Sequence, residues 1–103
     1  MKIITKKTIK KECWNLDYEL VKWLNEHLKT YKEDASKHID LEYYKFTYKR
    51  KEYTQLEIID RLIEITDYLK ENTINWDCDV EKNEKYKNEM YDLLKLIHWT
   101  MWW

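Results

Sequence analysis

Not one of the 103 residues is glycine or proline. Glycine gives the backbone access to φ > 0 at little steric cost, so any left-handed position in this chain must be held by a residue that carries a Cβ. All-β sandwiches and nucleotide-binding α/β folds normally use glycine in their turns and phosphate loops. Its absence removes the P-loop and the dinucleotide fingerprint outright. Helices joined by polar turns need glycine least, so the expected fold is mainly α.

The length fits a single domain over 1–103 with a modest core. Apolar residues make up 44% of the chain and charged residues 38%, a balance suited to amphipathic helices with charged outer faces. Six Trp and nine Tyr let a small core bury much area from few positions. The net charge of −1 gives no general attraction to nucleic acid or to an anionic membrane. Its distribution is uneven. Lys2, Lys6, Lys7, Lys10 and Lys11 make residues 1–13 a basic arm, Lys45, Lys49, Arg50 and Lys51 form a second cluster, and acid concentrates from Glu57 to Asp92. No apolar run approaches 18 residues, and lysines interrupt the start, so neither a membrane span nor a signal peptide is expected. Cys13 and Cys78 lie far apart with no metal-ligand spacing, which fits a reducing compartment and packing thiols.

The periodicity predicts three main helices. The first runs from about Leu16 to Lys32, capped by Asn15, with Leu16, Leu20, Trp23, Leu24, His27, Leu28 and Tyr31 as its inward stripe. The second starts at Thr54, where Thr54-Gln55-Leu56-Glu57 matches a capping box, and ends near Glu71. Its apolar face (Leu56, Ile59, Leu62, Ile63, Thr66 and Leu69, widened by Ile58 and Ile65) is broad enough to touch two neighbours. The third runs from about Glu84 to Trp99, with Asn83 as its cap and Tyr86, Met90, Leu93, Leu94, Ile97 and Met101 inward. Between the first two helices, Tyr44, Phe46 and Tyr48 alternate as on a strand, and Tyr53 suits a return strand after Lys49-Arg50-Lys51. The expectation is a small three-helix bundle with a short β-hairpin around 44–53, helical continuation being the competing reading there. Ile74 and Trp76 are expected anchors of the polar stretch 72–83.

Several constellations bear on function. Glu57, Asp60, Glu64, Asp67 and Glu71 recur at intervals of three and four, which places five carboxylates on one helical face. A solvated outer face explains such a ridge, but its single sign also suits docking to a basic partner. The end His98-Trp99-Thr100-Met101-Trp102-Trp103 either completes the core or offers Trp102 and Trp103 as anchors for a partner. The expected partner-binding residues are therefore Glu57, Asp60, Glu64, Asp67, Glu71, Trp102 and Trp103. Glu64-x-x-Asp67 and Glu89-x-x-Asp92 have the paired-acid spacing of all-α Mg²⁺-dependent nucleotide pyrophosphohydrolases, although they lie off the expected core faces. His27, His38 and His98 share no ligand spacing. No catalytic residue, metal ligand or cofactor is expected. Rings and cations interleave over 43–53 as on a nucleic-acid surface, but equally as on a hairpin packing its rings inward, and direct nucleic-acid binding is not favoured.

The segments LDYELVKWLNEHLKTYKED, YTQLEIIDRLIEITDYL and YDLLKLIHWTMWW, in this order, resemble a loose group of small helical proteins of bacteriophages and prophages of low-GC Gram-positive bacteria. Arg50 stands where a related hairpin would be expected to carry Gly, which sets this chain apart from the pattern. The resemblance implies no catalytic residues. It implies a phage-encoded protein in the cytoplasm of an infected bacterial host, acting on a host protein such as a CRISPR effector or another defence protein. The leading expectation is inhibition by steric occupation. A nucleotide hydrolase and a self-associating nucleic-acid-binding phage component are the alternatives.

Overall fold

The computed structural model describes residues 16–72 and 80–101. The basic arm, the Asn15 cap, both cysteines, Ile74, Trp76, Trp102 and Trp103 lie outside them. The described chain is mainly α. Helix α1 spans Leu16–Ala35, a hairpin follows with β1 at Lys45–Tyr48 and β2 at Lys51–Thr54, and helix α2 spans Gln55–Asn72. Helix α3 spans Val80–Ile97 and runs into a 3₁₀ turn at His98–Thr100. None of these helices is long and apolar enough to cross a membrane.

Helix α2 is the centre. Both α1 and α3 pack on it. Ile58, Ile59, Leu62, Ile65 and Leu69 are all at most 1% exposed. Each buried aliphatic side chain contributes about 1.5–3 kcal/mol relative to exposure, so one element supplies much of the core. The backbone amides at its start all find acceptors. The amide of Gln55 donates to the Tyr44 carbonyl (3.0 Å) and that of Leu56 to the Leu41 carbonyl (2.9 Å). The Glu57 amide donates to Thr54 Oγ1 (3.1 Å), and the Thr54 amide donates to Glu57 Oε1 (3.0 Å). The capping box read from the sequence thus forms, and the loop before the hairpin supplies the other two acceptors.

The hairpin pairs antiparallel, with Phe46 opposite Tyr53 and Tyr48 opposite Lys51. Its turn is the two-residue pair Lys49-Arg50, shorter than the three-residue turn expected. Both residues are left-handed, at φ 50° and 67°. Two positive φ values match the right-handed twist of a tight hairpin, and here lysine and arginine adopt them where glycine or asparagine would be easier. Phe46, Tyr48 and Tyr53 pack against the core, whereas Tyr44 precedes the strand and is exposed.

Helix α1 runs on to Ala35, past the end expected near Lys32, and two further details differ from the sequence reading. The inward face of α1 is Val21, Asn25, Leu28 and Ala35, with Leu24 and Tyr31 beside it. Leu16, Leu20 and Trp23, expected inward, are 59%, 49% and 56% exposed. Helix α1 carries two overlapping apolar stripes, and the one with a polar residue at its centre faces α2, because Asn25 finds partners there. Asn83 does not cap α3, which begins one turn earlier. It is buried, and its Nδ2 donates to the Asn72 carbonyl (3.4 Å), serving the last turn of α2 instead.

Replacing Lys49 by Asn and Arg50 by Gly relieves two left-handed residues with side chains, partly offset by the freer unfolded chain. The double variant should be about 1 kcal/mol more stable by thermal or urea unfolding. An unchanged or lower midpoint would show that the turn is not strained.

Candidate functional site

The five ridge carboxylates do share one face of α2, but the fold already engages most of them. Glu57 closes the capping box. Asp60 pairs with Lys32 (2.6 Å) and Asp67 with Lys29 (2.9 Å), both from α1. Glu64 accepts from Arg61 (2.8 Å). Glu71 is exposed near the end of the helix. A one-signed row that would repel itself is thus balanced by α1 and by Arg61. The Lys29 and Lys32 pairs are half-exposed and add at most about 1 kcal/mol each, so their effect is mainly on register.

Beneath Lys29 lies a buried polar junction. Asn25 Nδ2 donates to Thr66 Oγ1 (2.9 Å) and Asp67 Oδ1 (3.0 Å), and the Thr66 hydroxyl donates to the Leu62 carbonyl (2.8 Å). Burial alone would push the Asp67 carboxyl up. Hydrogen bonds from Lys29 and Asn25, with the charges of Lys29 and Lys70, outweigh it and hold the pKa below its ordinary value.

Where the hairpin meets α2 and α3, the surface opens into a cleft of about 550 Å³. Tyr48, Lys49 and Tyr53 form the hairpin wall, Ile58 and Leu93 the apolar floor, and Glu57, Asp60 and Glu64 the α2 wall, with Arg61 and Glu89 between the helices. Three ridge residues therefore border this concavity, and their carboxylates outnumber its cations.

Arg61 organises the cleft. Its Nε and NH2 donate to the two oxygens of Glu89 (2.5 and 3.0 Å), its NH1 donates to Glu64, and its Cζ lies 5.4 Å from the centre of the Tyr86 ring. A bidentate, half-buried fork of this kind fixes both partners in orientation. Hydrogen bonding to Glu89 raises the Arg61 pKa further above an already high ordinary value, despite burial. The same bonds, with the Arg61 charge, hold the Glu89 carboxyl below its usual range. Opposite them, the Tyr48 hydroxyl donates to Asp92 Oδ2 (3.2 Å). Burial first, then that hydrogen bond and the charges of Asp92 and Glu89, raise the Tyr48 pKa and keep the phenol a donor.

This geometry bears on the other constellations. Glu89 was expected off the core face but sits between α2 and α3, drawn inward by Arg61. The two acid pairs do not converge: Arg61 stands between Glu64 and Glu89, Asp67 turns to Lys29 and Asn25, and Asp92 accepts from Tyr48. Among the described residues, no group of three or more His, Cys, Asp or Glu is placed to hold a metal ion. Along the hairpin, Lys49 and Lys51 fold over the rings of Tyr48 and Tyr53, and those rings pack on the core instead of forming a stacking platform. At the chain end, Gln55 Nε2 donates to the carbonyl and hydroxyl of Thr100 (3.1 and 3.2 Å), which ties the 3₁₀ turn to the start of α2. Trp99 is 86% exposed.

Tyr48 was read from the sequence only as a strand residue and Glu89 only as one of a paired-acid spacing, and Arg61 was not singled out at all. The available signal was one arginine inside an acidic face, next to Asp60 and one turn before Glu64. No protein-family profile, curated protein or solved structure matches the chain.

Because the Glu89 pKa is lowered on folding, its contribution is complete above its ordinary value of 4.5 and is lost as pH falls below that toward the folded value. Glu89→Gln should cost about 2 kcal/mol at pH 7, with the difference from the parent shrinking as the pH drops through that window. Denaturant unfolding at pH 7, 5, 4 and 3 checks it. A difference that does not vary with pH would show that Glu89 contributes by packing alone.

Proposed function

We propose that the chain is a protein-binding module whose cleft, bordered by the acidic ridge, receives a cationic side chain of its partner. The cleft itself carries this reading. Carboxylates of Glu57, Asp60 and Glu64 rim an apolar floor, and Tyr48 and Tyr53 supply ring surface beside them. A lysine or arginine stem can lay its methylene groups along the Tyr48 and Tyr53 rings while its charge stays near the carboxylates. Arg61 and Glu89 brace the walls, so binding would not have to order them first.

The resemblance to phage proteins extends the proposal. The partner is then a host defence or nucleic-acid-handling protein, such as a CRISPR effector, occupied and sterically blocked in the cytoplasm of the infected cell. A basic surface on a protein that handles nucleic acid is the kind of surface this cleft would complement.

The test is a pulldown from nuclease-treated lysate of a low-GC Gram-positive bacterium, comparing the parent with Glu64→Lys and Tyr53→Ala. A nuclease-resistant partner whose recovery falls about tenfold or more in both variants, with circular dichroism unchanged, supports the cleft. Equal recovery would move binding elsewhere on the surface. Nucleotide turnover with Mg²⁺ that disappears in Glu89→Gln would replace the binding reading by a hydrolytic one.

A further inference from the structure

Leu16, Leu20, Trp23 and His27 follow one another at spacings of four, three and four. This is the seam spacing of a two-helix coiled coil, narrower than the broad stripe of a helix packed on a globular core. On α1 the seam lies roughly 120° around the axis from the face formed by Val21, Asn25 and Leu28. Its three apolar members are about half exposed. The helix therefore keeps one face for α2 and presents a second one outward.

The outer seam is ordered. The Trp23 and His27 rings stack at 4.0 Å with 20° between their planes. The His27 Nδ1–H donates to the Trp23 carbonyl at 2.7 Å. A large ring held in place loses little freedom on contact, which is what a binding anchor requires.

Charge identifies the occupant. Glu19, Glu26 and Glu33, seven residues apart, run along one border of the seam, and Asp17 and Leu24 lie on the other. The nearest cations, Lys22 and Lys29, sit further round toward α2, and Lys29 is paired with Asp67. A second copy fits poorly. In an antiparallel pair the glutamate borders would meet each other, and in a parallel pair they would meet Asp17 and Leu24. A helix with an apolar seam flanked by lysine or arginine would satisfy both the spacing and the charge.

We propose that the outer face of α1 is a second docking surface, independent of the cleft, which binds a basic-flanked amphipathic helix of a partner protein by seam-to-seam packing. The probes are two synthetic three-heptad peptides with the same leucine seam, one flanked by lysine and one by glutamate. Calorimetric titration into the full chain should show the lysine peptide binding about tenfold or more tightly than the glutamate peptide. Leu20→Ser with Trp23→Ala should abolish that binding, and Glu19→Lys with Glu26→Lys should reverse the preference. All four positions are at the surface, and circular dichroism verifies the fold. Glu64→Lys should leave the binding unchanged. The inference fails if neither peptide binds, if the preference does not reverse, or if Glu64→Lys abolishes binding, which would place the peptide in the cleft. It also fails if sedimentation shows a dimer that Trp23→Ala dissolves, since the face would then belong to a second copy.

Discussion

The burial of α2 on two sides is the constraint on which the rest depends. A helix with an ordinary stripe has one neighbour. This one carries Ile58, Ile59, Leu62, Ile65 and Leu69 with almost no exposure, and so needs both α1 and α3. The remaining polar side chains of α2 are left in the seams beside those neighbours, where they find Lys29 and Lys32 on one side and Glu89 on the other. The ridge and the cleft are consequences of where the helix had room for charge.

Such a centre is only as specific as its polar junctions. Aliphatic surfaces tolerate sliding, because burial is roughly proportional to area and indifferent to register. Asn25 against Thr66 and Asp67 removes that freedom on the α1 side, since a shift by one turn would take the buried Asn25 amide away from its partners. The Arg61 fork on Glu89 does the same on the α3 side. At the start of α2 the capping box, Leu41, Tyr44 and Thr100 converge, so the hairpin and the chain end are both referred to the same turn. The cleft is bordered by the Arg61–Glu89 fork and by Glu57 of the capping box, so two of these fixed points hold walls that come from three elements.

Local features were the most legible in the sequence. The Thr54–Glu57 box is a short-range pattern with one geometric meaning, and it forms as read. The breadth of the α2 stripe announced two neighbours. The alternation of Phe46 and Tyr48 marked a strand, although nothing in the turn composition selected Lys49 and Arg50 for left-handed backbone. Pairings between helices were not legible. Arg61 looks like one more surface charge until α3 brings Glu89 to it, and Asn83 looks like a cap until its amide is seen to serve Asn72. Both depend on distances between segments far apart in the chain, on which periodicity is silent. The candidate site was accordingly half visible: its carboxylates, Glu89 among them, could be named, but the concavity and the Arg61–Glu89 pairing that braces it could not.

Helix α1 shows why periodicity can mislead even when it is strong. Apolar side chains from Trp23 round to Val21 occupy nearly half of its circumference, and a 3.6-residue period can be drawn through either of two overlapping sets. Hydrophobicity alone favours the set with Leu16, Leu20 and Trp23, because the other contains Asn25. The fold takes the other. Buried asparagine is costly without partners, but Thr66 and Asp67 offer them, whereas no polar group would need Trp23 in that place. Satisfying Asn25 leaves a tryptophan and two leucines in solvent, at a cost that burial against α2 would have removed. A helix that tolerates this exposure beside a column of glutamates has its inward face set by polar complementarity, and its outward apolar face is then unassigned by the fold itself.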